Sequence, residues 1–346
     1  MRGFKTKMAI LSTFFSMSLV CQLPAFADPI QDFYKGKQIV LLVGSDPGGG
    51  YDLLARLVAR HLGQFIPGSP NFVVENMPGA GSILLSNRLY NSAPADGTYM
   101  GLVQRGVLLS QLTHQPNVRF DLAKFHWIGS ITSEEALAAV WSKSAIMSFK
   151  DLQSRDVIVG GTGPTSDTEA SARLLNAIAG TRFKVVSGYP GTSDIMLAMQ
   201  RGELEGIADI SWSELQSKNS ALLQNDSLRF VLRHTTGEIA DLPGVPNVSE
   251  FIMDPSDKEV ANLYYDMKDV ARPMMLGPNV PMARVEAIQA AFDMMIADDG
   301  FKQEAAKAAL VLHPKSHAAL EKFIAETSST SDQVHRRISD ILNPPK

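Results

Sequence analysis

The sequence predicts a two-lobed α/β protein, each lobe a mainly parallel sheet flanked by helices, with a ligand cleft between the lobes. Three observations predict it. A short β-rich apolar run, a glycine-rich turn and an amphipathic helix follow one another four times, twice early in the chain and twice after residue 150. Strands that alternate with helices in this way pair in parallel and are covered by helices on both faces. The chain of 346 residues is also too long for a single hydrophobic core, so two domains are expected.

The chain opens on a leader. Arg2, Lys5 and Lys7 precede a mainly apolar run from Met8 to Val20, and Ala25 and Ala27 then give a small-x-small cleavage site. Residues 1–27 are therefore read as a signal peptide cleaved before Asp28, which directs the mature protein to the periplasm. The apolar run is too short for a comfortable membrane span. Lipidation at Cys21 is disfavoured because Val20 is too large for the position before it. Cleavage removes Cys21, the only cysteine, and with it thiol catalysis, disulfides and cysteine metal sites. It removes three basic residues and no acid, so the net charge moves from −4 to about −7. A mildly acidic chain without a basic block is a poor partner for nucleic acid or an anionic membrane surface.

The first unit runs from Lys37 to Val43, turns over Gly44 to Gly50, and continues as a helix with Leu53, Leu54, Leu57, Val58 and Leu62 at helical spacing. From Ile39 to Val43 its strand is apolar throughout, as expected where both faces are buried. The second unit is Asn71 to Glu75, then Pro78-Gly79-Ala80-Gly81-Ser82, then a helix through Leu84, Leu85 and Leu89. The third is Asp156 to Val159, a turn from Gly160 to Asp167, and a helix holding Ala170, Leu174, Leu175 and Ile178. The fourth is Phe183 to Val186, a turn from Gly188 to Asp194, and a helix with Ile195, Leu197, Ala198 and Met199. Between the two pairs, Leu137 to Trp141 reads as a strand crossing from one lobe to the other. Arg229 to Leu232 is a further apolar run, and Val270 to Leu276 an extended one that brings the chain back before two or three amphipathic helices. The lobes are then a discontinuous first lobe, 28–136 with 252–346, and an inserted second lobe, 137–251.

The glycine turns point to a ligand. A helix N-terminus leaves backbone N–H groups unpaired and carries about half a positive charge. Glycines ahead of it let an anion approach bare backbone at the carboxyl end of a parallel strand. The turns Pro47 to Asp52 and Gly161 to Asp167 hold no Lys or Arg. Binding there would rest on N–H donors and on the hydroxyls of Thr162, Thr165 and Ser166, which suits a carboxylate that must be released better than a tightly held polyphosphate. Taken singly, each turn is an ordinary βα connection, and Asp52, Asp167 and Asp194 read first as helix caps.

The candidate ligand residues are Asp46, Pro47, Gly48, Gly49, Gly50, Tyr51 and Asp52 in the first turn, and Thr162, Gly163, Pro164, Thr165 and Ser166 in the third unit. Arg105 follows the strand Thr98 to Val103 and precedes Gly106. That puts its guanidinium at the cleft edge, where it would hold a carboxylate bidentately. Asp209, Ser211 and Trp212 end another strand and join the set. With Tyr51 and Tyr189, Trp212 supplies aromatics for the cleft wall or for core packing.

No constellation for chemistry accompanies these. The turn at Gly48 lacks the Gly-Lys-Ser/Thr ending of a phosphate-binding loop, and Gly-x-Gly-x-x-Gly does not occur there. His313 and His317 stand four apart but are separated by Pro314 and lack the glutamate of a zinc peptidase helix. There is no Gly-x-Ser-x-Gly elbow. The close carboxylate pairs, Glu134-Glu135 and Glu203 with Glu205, sit among polar residues and read as solvated faces. No catalytic residue, metal site or cofactor is expected.

The motifs Pro47-Gly48-Gly49-Gly50-Tyr51-Asp52 and Glu75-Asn76-Met77-Pro78-Gly79-Ala80-Gly81 resemble those of the tripartite tricarboxylate transporter substrate-binding family, the Bug receptors. Pro94-Ala95-Asp96-Gly97-Thr98, Gly161-Thr162-Gly163, Tyr189-Pro190-Gly191, Arg201-Gly202-Glu203 and Leu242-Pro243-Gly244-Val245-Pro246 follow in the family's order over nearly all of the mature chain. The resemblance implies a type II periplasmic-binding-protein fold that closes on its ligand. It implies that a ligand carboxylate is held by one strand–turn–helix loop from each lobe, here Asp46 to Asp52 and Gly161 to Asp167, partly through water. Ser45-Asp46 stands where the family commonly has a bulkier aromatic or Pro residue, and arginine at 105 is not a family expectation. The implied partners are a small carboxylate and transporter membrane subunits, with the receptor a monomer. Presentation of the ligand to a membrane sensor is the alternative within the same fold. An exported hydrolase is the alternative from another class.

Overall fold

Residues 28–343 are described in the computed structural model, apart from Gly49, Pro116, Pro164, Thr165, 235–238, Ala240 and Ala309. The signal-peptide and Cys21 readings lie outside the described residues. The chain begins α1 (Pro29–Tyr34), β1 (Gln38–Val43), α2 (Gly50–His61), β2 (Asn71–Asn76), α3 (Ile83–Asn91), β3 (Tyr99–Leu102), α4 (Val107–Ser110) and β4 (His126–Ser130). It continues with β5 (Ala136–Trp141), α5 (Phe149–Ser154), β6 (Val157–Gly161), α6 (Asp167–Ile178), β7 (Phe183–Ser187) and α7 (Thr192–Gln200). Next come β8 (Gly206–Ser211), α8 (Trp212–Lys218), α9 (Ser220–Gln224), β9 (Leu228–Arg233) and α10 (Pro255–Tyr265). The last part holds β10 (Pro273–Leu276), α11 (Met282–Ala297), α12 (Asp299–Lys307), β11 (Lys315–Ser316), α13 (His317–Ser329) and α14 (Asp332–Leu342).

These strands form two sheets, one in the order β11-β4-β10-β3-β1-β2 and the other β7-β6-β8-β5-β9. The four strand–turn–helix units are β1–α2, β2–α3, β6–α6 and β7–α7. Each sheet keeps a parallel core, β2-β1-β3 in one and β7-β6-β8 in the other. The sheets are nevertheless mixed, because β4, β5, β9, β10 and β11 all pair antiparallel. The strands next to the crossings, β5 and β10, enter each sheet from the opposite end to the βα units, which sets their direction.

Burial explains why β1 is continuously apolar. Ile39, Leu41 and Val43 pack toward Leu54, Leu57 and Val58 of α2, while Leu42 faces the opposite layer with Leu85 and Leu89 of α3. Burying a side chain of this size contributes about 1.5–3 kcal/mol, so the sheet is fixed by its central strands.

Two crossings join the sheets, one through residues 131–135 and one through 266–272. They run side by side, with the Glu134 N–H donating to the Lys268 carbonyl at 2.7 Å and the Ser130 hydroxyl donating to that of Ala271. The stretch 252–346, read from sequence as first lobe, divides between the sheets. α13 packs on β4, whereas α10 and α14 pack on α6 of the second sheet. Among the described residues no helix is long and apolar enough to cross a membrane.

Candidate ligand site between the sheets

Two of the glycine turns, one in each sheet, are tied down by an acid from the first turn of the following helix. Gly48 adopts φ +82°, which favours glycine, and its N–H donates to Asp52 at 2.9 Å. Asp52 also accepts from Arg56 Nε at 3.0 Å and Asn76 Nδ2 at 2.9 Å. Arg56 above all, with Gly48 and Asn76, holds its carboxyl down at about 2. In the second sheet Glu169 does the same work, accepting from the Gly163 N–H at 2.9 Å and from the Ser187 hydroxyl at 2.5 Å. The Thr162 N–H donates to Thr168 Oγ1 at 3.1 Å. Gly161 leaves room for this, since a Cβ there would stand 2.4 Å from Glu169 Cγ.

Asp167 departs from the cap reading. It is the first residue of α6, behind Ser166, and its carboxylate reaches across to the other sheet. There it pairs with Arg105 from the first sheet, accepts from Tyr264 Oη at 3.2 Å, and lies 3.9 Å from Lys268 Nζ.

A line of alternating charges results. Arg272 Nη1 lies 3.7 Å from Glu134 Oε1, Arg105 pairs with Glu134 and Asp167, and Lys268 reaches from Asp167 to Asp209 at 3.1 Å. Asp209 also accepts from the Ser171 hydroxyl at 2.5 Å and lies 4.0 Å from His234 Nε2. Lys268 and Asp209 are only 2% and 4% exposed. Burial opposes the ionisation of Glu134 and Asp209, but Arg105 and Arg272 for the first and Lys268 for the second hold both carboxyls below the usual range. Burial pushes the His234 imidazole down, so it is a neutral ring stacked on Tyr265 with centroids 4.8 Å apart.

Of the residues singled out in the sequence, Asp46, Pro47, Gly48 and Gly50 are exposed, and Tyr51, Thr162, Gly163 and Ser166 are half-buried beside them. Arg105 and Tyr51 do meet, with the Arg105 N–H 3.4 Å from the Tyr51 hydroxyl. Gly49, Pro164 and Thr165 lie outside the described residues. Asp209, Ser211 and Trp212 have partners within the protein, and Glu134 departs from the solvated reading. Asp209 faces an internal cation instead of an open cleft, because a buried Lys268 requires it. Trp212 is buried against Phe230, with ring centroids 5.7 Å apart, and Ser211 turns its hydroxyl to Ser213 at 2.8 Å. Glu134 is no solvated acid, since the crossing carries it between two guanidinium groups.

Glu134, Lys268, Tyr264 and Arg272 were not legible as site residues. Their signal was position: Lys268 precedes, and Arg272 lies within, the extended run that returns the chain to the first sheet.

No family model matches the chain. A UPF0065 protein from the TAR-I ttuE-ttuC' intergenic region of Agrobacterium vitis is 26% identical over 247 residues, which is 69% of this chain and 68% of that protein. UPF0065 denotes the Bug family. Among solved structures, a TctC solute-binding protein from Polaromonas superposes with a TM-score of 0.69 at 17% identity, covering 90% of this chain and all of that one. MatC of Rhodopseudomonas palustris with bound malate gives 0.59 at 18% identity, over 89% of this chain and 99% of that one. In sequence the chain is similar to UPF0065 proteins, and in fold it is like these solute-binding proteins.

Proposed function

We propose that this chain is a periplasmic solute-binding receptor that takes a small carboxylate into the cleft between its two sheets and delivers it to transporter membrane subunits. The observation that carries the reading is the meeting of Arg105 and Asp167 across the cleft. The two sheets approach one another through charge, at the ends of strands where the glycine turns of β1–α2 and β6–α6 open. A small carboxylate lying between these turns would touch both sheets. Closing on a ligand that touches both sheets then favours the closed form by the difference in its contacts between the two states. The turns Asp46 to Tyr51 and Thr162 to Ser166 form the two walls in this reading. The family resemblance supports the transporter as partner, and the leader supports export.

A thermal-shift screen of the protein from Asp28 onward, against mono-, di- and tricarboxylates, tests it. A ligand at about 100 times its Kd adds about 2.7 kcal/mol, which reads as a melting shift of several degrees. The ligand is recovered unchanged. Silence across the carboxylates, or turnover of any of them, overturns the reading.

A further inference from the structure

We propose that Arg272, and not Arg105, is the residue that receives the ligand's carboxylate; the inference rests on the receptor reading and sharpens it.

Among the described residues, the other cations at these turns and three of the turn N–H groups are already engaged. Arg105 has an acid on either side, Glu134 and Asp167. Lys268 has Asp209. The turn N–H groups of Gly48, Gly163 and Thr162 are satisfied from within by Asp52, Glu169 and Thr168. An arriving carboxylate must displace an internal partner at each of these.

Arg272 differs. Among the described residues its one charged neighbour is Glu134, and that contact is 3.7 Å, beyond a hydrogen bond. Its Nε is buried without a hydrogen-bond partner. A guanidinium has five N–H donors in a fixed fork, and leaving a buried donor unmade costs about 1–3 kcal/mol. The side chain is 22% exposed, so a solute can reach it. It also lies where a ligand is expected, with its guanidinium carbon 5.1 Å from the centre of the Tyr51 ring and Nη2 3.3 Å from where a Cβ on Gly50 would stand. The Tyr51 face fixes the plane of the fork by cation–π contact. The backbone supports a functional role as well. Arg272 adopts φ +60°, a conformation that costs a non-glycine residue about 1–2 kcal/mol and persists where the surroundings require it. The strain is spent on turning this side chain off the crossing and onto the first glycine turn.

A planar fork with open donors takes a carboxylate through two parallel N–H···O bonds. Only one carboxylate of the solute is recognised in this way, because the other cations of the cleft have their own acids.

The test is isothermal titration of the protein from Asp28 onward and its Arg272→Gln, Arg272→Lys and Arg105→Gln variants with succinate, L-malate, citrate and benzoate. Circular dichroism of each ligand-free variant reports whether it is folded. For any of these acids that the parent protein binds, Arg272→Gln is expected to weaken binding about 30-fold or more. Arg272→Lys, which keeps the charge and loses the fork, is expected to weaken it about tenfold, and serves if the glutamine variant does not fold. Arg105→Gln should cost less than Arg272→Gln. Binding by both Arg272 variants within threefold of the parent overturns the assignment and leaves the receptor reading standing. If the parent binds none of the acids, the receptor reading falls and the assignment with it.

Discussion

At the first turn of α2 a single carboxylate gathers donors from Gly48, Arg56 and Asn76. The folded Asp52 carboxyl is held at about 2, against about 3.9 in an unfolded chain. A depressed carboxyl contributes stability that is present above its unfolded value and is lost as pH falls through the folded one. Asp52→Asn is therefore expected to lower stability in urea unfolding by about 2 kcal/mol at pH 7, with the gap to the parent protein closing as pH falls from about 4 toward 2. An unchanged gap at low pH would mean that the effect is steric, not ionic. Asp52 was legible as a cap because its partners Gly48 and Arg56 are four residues away. Asp167 shares its sequence setting, yet its partners Arg105 and Tyr264 lie 62 and 97 residues off along the chain, and only the fold brings them to it. Glu134 is the same case, an acid among Ser and Thr whose two arginines come from distant segments.

The short turn from Asp266 to Val270, between α10 and β10, shows what an element can impose. It places Asp266 in partly buried surroundings near Asp269 and Glu326, and burial first, then the two like charges, push its carboxyl up to about 6. The sign is opposite to that of Asp52. The folded state holds this proton more tightly, so stability is fullest below about 4 and declines as pH rises through 6. Asp266→Asn should raise the melting temperature at pH 7.5, by about 1 kcal/mol in stability once solvent screening is allowed for, and leave it unchanged at pH 4. Equal effects at both pH values would exclude the ionisation as the cause. At this scale the four strand–turn–helix units were legible because their periodicity is local. The runs Leu137 to Trp141 and Val270 to Leu276 were legible as the segments next to the crossings, but their antiparallel direction was not, since an apolar strand carries no mark of its neighbour's direction. The amphipathic pattern of α14 likewise announces that it has a partner without naming α6.

At the scale of the whole molecule the ion pair of Asp167 with Arg105 links the two sheets. A partly exposed ion pair contributes about 1 kcal/mol or less. That is small against folding, but it is up to about a fivefold change in an equilibrium between open and closed arrangements. In the proposed receptor, the Arg105–Asp167 pair would favour the closed form of the ligand-free protein. Asp167→Asn is expected to open the ligand-free protein, with a larger radius of gyration in small-angle scattering and little change in melting temperature. Salt gives the independent check. Raising the ionic strength from about 0.05 M to about 0.5 M shortens the screening length severalfold, so the parent protein should move toward the variant's profile while the variant stays where it is. Scattering curves that superpose at every salt concentration would show that the pair does not set the closure, and that packing along the two crossings alone does.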